Sequence, residues 1–107
     1  MMLLMTDNAG LRAPRAQIAL PCTLRRRTGS PIPAQTLRLG PRGMQVTSPR
    51  PLALDETVEF DLPNLDMRVS GRARVLRQER GNVYALRFEG LPEPMLRRLH
   101  ALAINSR

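Results

Sequence analysis

Apolar and polar residues alternate along most of this chain with a period of two, the pattern of strands that bury one face. Ile18, Leu20, Cys22 and Leu24 alternate with Ala19, Pro21, Thr23 and Arg25. They predict a first strand, in which Pro21 marks an edge or a bulge. Arg25-Arg26-Arg27 carry that strand into solvent, and Thr28-Gly29-Ser30-Pro31 reads as a turn. A second strand is expected from Ile32 to Leu39, interrupted at Pro33. The bend Gly40-Pro41-Arg42-Gly43 leads into a third, with Met44, Val46 and Ser48 on one face, and Ser48-Pro49-Arg50-Pro51 then forms a rigid loop that cannot pair in a sheet. Val58, Phe60 and Leu62 alternate with Thr57, Glu59 and Asp61 in a clear amphipathic strand. After the turn Pro63-Asn64-Leu65-Asp66 comes a long one. Its inner face is read as Met67, Val69, Gly71, Ala73 and Val75, its outer face as Arg68, Ser70, Arg72 and Arg74. Gly71 in mid-strand predicts a sharp bend, as at a barrel corner. The turn Glu79-Arg80-Gly81-Asn82 precedes a last strand from Val83 to Phe88.

Beyond Gly90-Leu91-Pro92 the period changes. Met95, Leu96, Leu99, Leu102 and Ala103 recur at helical spacing, while Arg97 and Arg98 are expected to face water. Glu93-Pro94 suits the first turn, with an acid near the positive end of the dipole. Short strands followed by one helix indicate a mainly β fold, a small closed or nearly closed antiparallel barrel with one C-terminal α-helix. A chain of 107 residues supports one core. Residues 1–14 read as a flexible N-terminal arm and residues 15–107 as a single barrel domain.

Charge sharpens this picture. The formal net charge is +8, and all 17 basic residues are arginine. Codon bias in a GC-rich genome favours that choice, and arginine also offers a planar fork for phosphate oxygens and a face for stacking. Such a charge attracts anionic partners at long range. Catalysis has little to work with. His100 is the only histidine and sits on the helix, tied to no serine or cysteine by a recognisable motif. Asp55, Glu56, Glu59, Asp61 and Asp66 fall in turns or on an outward strand face and read as surface charge. Neither a phosphate loop nor a dinucleotide fingerprint is present. The lone Cys22 excludes an internal disulfide and a cysteine zinc site, and reads as a small buried hydrophobe. No enzyme activity, metal or cofactor is expected. Met1-Met2-Leu3-Leu4-Met5 is too short for a signal core or a membrane span, so a cytoplasmic protein without membrane insertion is expected.

Anion binding has better material. Arg12 and Arg15 precede the first strand, and Arg38 and Arg42 flank Gly40 and Gly43. An N-terminal arm folded over one barrel end can meet this bend, where arginines clamp phosphates and glycine lets a ligand approach the backbone.

The order of these features resembles the PilZ domain over about residues 11–104. The residues that carry the resemblance are Val58-Glu59-Phe60-Asp61-Leu62-Pro63, then Met67-Arg68-Val69-Ser70-Gly71-Arg72-Ala73-Arg74-Val75, then Tyr84-Ala85-Leu86-Arg87-Phe88-Glu89-Gly90-Leu91 and the closing helix. The resemblance implies a six-stranded antiparallel barrel with a C-terminal helix, and cyclic di-GMP as ligand. The family's RxxxR stretch falls on Leu11-Arg12-Ala13-Pro14-Arg15, with its second arginine present as Arg15 and Arg12 beside the vacated first position. Its (D/N)xSxxG motif falls on Arg38-Leu39-Gly40-Pro41-Arg42-Gly43, where only Gly43 matches. In the family the acid or amide and the serine bond to guanine and nearby groups, while the arginines take phosphates and stack on bases. The resemblance therefore implies a bacterial signalling module, a cyclic di-GMP receptor or receptor-derived adaptor acting through a protein partner. Binding at Arg12, Arg15, Arg38, Arg42 and Gly43 is expected to be weakened or lost. Two other readings remain. One is a basic barrel that binds nucleic acid through its charge and its outward Arg68/Arg72/Arg74 row, although it lacks exposed aromatics for stacking. The other is a structural partner in a pilus or motility complex.

Overall fold

The alternating segments pair into six strands that close on themselves, followed by one helix. In this computed structural model, which describes residues 16–65 and 67–105, the strands are β1 (Pro21–Arg25), β2 (Ile32–Leu39), β3 (Gly43–Thr47), β4 (Thr57–Leu62), β5 (Val69–Arg80) and β6 (Val83–Glu89). The helix α1 spans Glu93–Asn105. The barrel order is β1-β2-β3-β6-β5-β4, with every neighbouring pair antiparallel. The sequence predicted this architecture, a mainly β barrel of six strands with one C-terminal helix.

Inward side chains at every second position fill the barrel, with Leu24, Ile32, Val46, Val58, Phe60 and Val75 fully or almost fully buried. With so few aromatic residues, Phe60 and Phe88 form the one ring pair found among the described residues, their centroids 4.7 Å apart. The rest of the core is aliphatic. Leu99 and Ala103 of α1 are buried, and Met95 and Leu102 pack against the same core. Arg97 and His100 face solvent; Arg98 is half-buried rather than turned to water.

The prolines take places that spare the ladder. Pro21 opens β1 and pairs only with β2, since β4 joins β1 from Thr23 onward. Pro33 does not interrupt β2, because it lies in the stretch paired with β1, before β3 joins at Gln35. A missing N–H costs nothing on a side without a partner.

Residues 16–20 are not part of β1, although Ile18 and Leu20 alternate with its apolar positions. They run beside the end of β2. Ala16 and Leu39 exchange two backbone hydrogen bonds of 3.0 Å, and Thr36 N–H donates to the Leu20 carbonyl at 2.9 Å. The buried Thr36 hydroxyl completes the clasp, accepting from Leu20 N–H at 2.9 Å and donating to the Ile18 carbonyl. Replacing Thr36 by valine keeps the shape and leaves that donor and acceptor unmatched. Such a loss costs about 1–3 kcal/mol. Urea unfolding of Thr36→Val should show it, together with faster hydrogen exchange at Leu20.

Register shifts decide which side chains point outward. Between Thr36 and Arg38 the β2–β3 ladder slips by one residue, so Leu37 and Arg38 are both exposed while Thr36 and Leu39 are buried. Two further shifts, at 75/77 and 78/80, occur in β5, which runs past its predicted end to Arg80. Residues 76–80 are all exposed. The β4–β5 register runs unbroken through Gly71, so no bulge accompanies it. A Cβ there would lie 2.6 Å from Leu91 Cδ2, so glycine makes room for the residue that leads into α1. Met67 lies before β5 and is 36% exposed, not inward as expected.

The pairings put the end of β2, the start of β3, the end of β6 and the start of β5 at one end of the barrel. The 16–20 segment and the Gly40–Gly43 bend share that end, and α1 departs from it. The opposite end carries the β1–β2 turn, the 48–56 loop and the two-residue Gly81-Asn82 hairpin, in which Gly81 has φ +53°. There Arg26 grips Glu56 with bonds of 2.6 and 2.9 Å and holds its carboxyl below the usual range.

Candidate functional site

The bend is built by its connections to β6. Gly40 N–H donates to the Gly43 carbonyl at 3.1 Å, and the Arg42 carbonyl accepts from Phe88 N–H at 2.9 Å. Gly43 stands opposite Arg87 in the ladder. A Cβ on Gly43 would fall 2.2 Å from the Leu86 carbonyl oxygen, so only glycine lets β3 begin this close to β6. Sequence reasoning reads Gly43 as room for a ligand, and the barrel itself requires a glycine there on packing grounds alone.

Beside the bend, on the outer face of β3, β6 and β5, lies a depression of about 450 Å³. Arg42, Arg77 and Arg87 line it, with Gln45, Leu76 and Ala85 between them. Its acid is Glu79, which accepts from Arg77 Nε at 3.1 Å and from the Gln45 amide. Arg42 and Arg87 make no ion pair among the described residues. Arg38 is exposed and pairs in the ladder with Gln45, whose side chain lines the depression. Arg38, Arg42 and Gly43 thus share one neighbourhood. Arg12 and Arg15 lie outside the described residues; Ala16, next in the chain, is bridged to Leu39 at the foot of the bend.

Arg77 and Arg87 escaped the sequence reading as site residues. Arg87 carried half a signal, since the alternation of Tyr84, Leu86 and Phe88 turns it outward. Its place opposite Gly43 follows only from the β3–β6 register. Arg77 carried none, because the shift after Val75 reverses the faces expected there.

The opposite wall, β1–β4–β5, has a second depression of about 440 Å³ lined by Arg25, Glu59, Asp61, Arg68 and Ser70 among others. It is a closed electrostatic account. Arg68 holds both Asp61 oxygens at 2.9 and 2.7 Å, which keeps the largely buried carboxyl well below its usual range. Asp61 is therefore a fixed anion rather than the solvated surface charge expected, and no proton donor at neutral pH. Arg74 Nε donates to Glu89 at 2.9 Å, and Arg72 sits between Glu59 and Glu89 in register. The outward arginine row is thus interleaved with acids instead of forming an open track for a polyanion.

Cys22 is buried, and desolvation pushes its thiol up to about 12, far from the reactive range. Among the described residues no group of three His, Cys, Asp or Glu is placed to hold a metal, and no helix is long and apolar enough to cross a membrane.

Comparison with known proteins agrees with this geometry. The PilZ domain family matches residues 12–105. No curated protein matches the sequence. Among solved structures, the Bacillus subtilis inhibitor of motility, MotI/DgrA, superposes with a TM-score of 0.76 at 12% identity, over 95% of this chain and 51% of that one. This chain therefore spans about half the length of the motility inhibitor. The PilZ domain of CeSA from a cellulose-synthesizing bacterium gives a TM-score of 0.64 at 18% identity, over 84% of this chain and 94% of that one. At such identities the likeness is one of fold.

Proposed function

Because the chain belongs to the PilZ domain family, whose members are cyclic di-GMP-binding signalling modules, we propose that it is a signalling adaptor acting through a protein partner, with its own hold on cyclic di-GMP weakened. One observation carries the reading. Where the family places an acceptor and a hydroxyl, this bend has the exposed Arg38 and the side-chain-free Gly40. The carboxylate in the adjoining depression, Glu79, is engaged by Arg77 and Gln45. A guanine edge, itself a pair of N–H donors, meets another donor. Each unmatched polar group costs about 1–3 kcal/mol, and two together weaken binding by roughly a hundredfold. The arginines at the bend, with Arg12 and Arg15 ahead of it, keep a residual attraction for phosphates. A protein named as an inhibitor of motility shares this fold. Such a module works in the cytoplasm and catalyses nothing.

Calorimetric titration of cyclic di-GMP into the purified protein at near-physiological salt tests the proposal. The expected dissociation constant is weaker than about 10 µM, or −6.8 kcal/mol. Submicromolar binding that disappears in Arg15→Ala would show an intact receptor and sink the weakened-site reading.

A further inference from the structure

We propose that the barrel end opposite the bend is a protein-docking surface, in which Leu54 enters an apolar socket on the partner and the surrounding arginines meet carboxylates at its rim. The inference rests on the reading of the chain as an adaptor, and names the face and the kind of partner.

Leu54 is 63% exposed, the most exposed of the large hydrophobic side chains among the described residues. Its turn is fixed rather than loose. Asp55 takes φ 66°, the one positive φ outside glycine among the described residues, a conformation aspartate tolerates better than most. Its N–H donates to the Val75 carbonyl at 2.8 Å, and Glu56 N–H closes the turn onto the Ala53 carbonyl at 3.2 Å. The Glu56 carboxylate in turn accepts from Ala53 N–H at 2.8 Å, while Arg26 grips it from the β1–β2 turn. Three hydrogen bonds and an ion pair thus hold an apolar side chain out in water. A side chain presented this way reaches a socket with little left to order, the condition under which a single residue anchors an interface.

Charge says what rims the socket. Arg27, Arg50 and Arg80 are exposed and make no ion pair among the described residues. They come from the three connections of this end, which are laced together. Ser48 N–H donates to the Asn82 carbonyl at 2.9 Å, and Arg26 ties the β1–β2 turn to the 48–56 loop. That loop sets one exposed acid against them, Asp55, since Glu56 is taken by Arg26. The complementary rim is therefore acidic. A bilayer suits the surface less well: one leucine inserts too little apolar area to hold it, and anionic headgroups repel the neighbouring Asp55. A nucleic acid offers phosphates and no socket for an aliphatic side chain. β3, five residues long, sets this end about 17 Å from the bend, so docking here leaves the bend open.

A photo-crosslinking benzoylphenylalanine in place of the exposed Ala53, beside Leu54, tests the surface in cells of the native host. The same probe in place of Leu37, toward the bend end of β2, is the comparison. The expected result is a protein joined from position 53, through a segment in which apolar residues are flanked by Asp or Glu. Titrated into that purified protein, Leu54→Ala should bind at least tenfold more weakly than the wild type, with the melting temperature of this exposed-site variant unchanged. Arg50→Glu should weaken binding by a similar factor and flatten its dependence on salt. Crosslinks to lipid or nucleic acid instead of protein, a joined segment without carboxylates, or a Leu54→Ala variant that binds as wild type overturns the inference. A protein joined from position 37 but not from 53 overturns it too and leaves the adaptor reading standing, whereas no protein joined from either position sinks both.

Discussion

Arg38→Asp combined with Gly40→Ser is expected to raise the affinity for cyclic di-GMP about a hundredfold, read by calorimetric titration against the wild-type protein. The estimate comes from two restored hydrogen bonds at about 1.4 kcal/mol each, the free energy of one decade. Arg38 is open to the change, whereas Gly40 is buried and its serine must fit among its neighbours. The β2 register shift turns Arg38 outward beside the exposed Leu37, so an aspartate there disturbs no core contact. Gly40 is not among the glycines in the left-handed region, and its N–H bond to Gly43 does not depend on its lack of a side chain. The experiment sets specificity against charge. Exchanging an arginine for an aspartate lowers the net charge from +8 to +6. If long-range attraction governed binding, affinity would fall. A rise for cyclic di-GMP with no gain for cyclic di-AMP locates the lost recognition at these two residues. An unchanged or lower affinity places the loss elsewhere.

Gly43→Ala should be the most damaging single change near the bend, costing about 3 kcal/mol. The added methyl would lie 2.2 Å from the Leu86 carbonyl oxygen and 3.2 Å from the Arg87 Cα, both backbone atoms of the neighbouring strand. No rotamer relieves such a clash, so β3 and β6 must part where the Arg42–Phe88 bond laces them together. Overpacking of this kind costs 1–3 kcal/mol and sometimes more. In a domain this small each kcal/mol lowers the melting temperature by roughly 4–8 °C. Gly81→Ala is the control, since nothing lies within 4 Å of its Cβ and only its positive φ is strained. It should lose about 1 kcal/mol. If Gly43→Ala costs no more than Gly81→Ala, the strands separate easily and the glycine serves the ligand. The expected ranking has a consequence for reading motifs. Gly43 is the position that matches the family's second motif, and the barrel alone is reason enough to keep it.

The fold was legible because alternation in β4 and β6 and the helical period of α1 each point to one buried face. The limits of that reading fall at identifiable residues. Ile18 and Leu20 look like strand residues because they are half-buried on alternate positions, yet Thr36 holds them, and a hydroxyl's two partners cannot be read from its own neighbours. Met67 continues the alternation of β5 by one step beyond its ladder, which ends at Leu62 and Val69. At the site, Arg38, Arg42 and Gly43 come together because they are close in the chain. Arg87 joins them only through strand pairing, and Arg77 only because a one-residue shift moves Leu76 and Arg77 to the same side. A period of two has no way to announce where it slips.

The bridge between Ala16 and Leu39 also acts on residues that precede it. Arg12 is four residues upstream of that fixed point, and an extended chain covers at most about 3.6 Å per residue. Whatever its path, chain connectivity keeps its backbone within about 14 Å of Ala16. Were a phosphate bound at the bend, a cation leashed so short would meet it as a neighbour rather than a visitor, without the translational cost of a separate encounter.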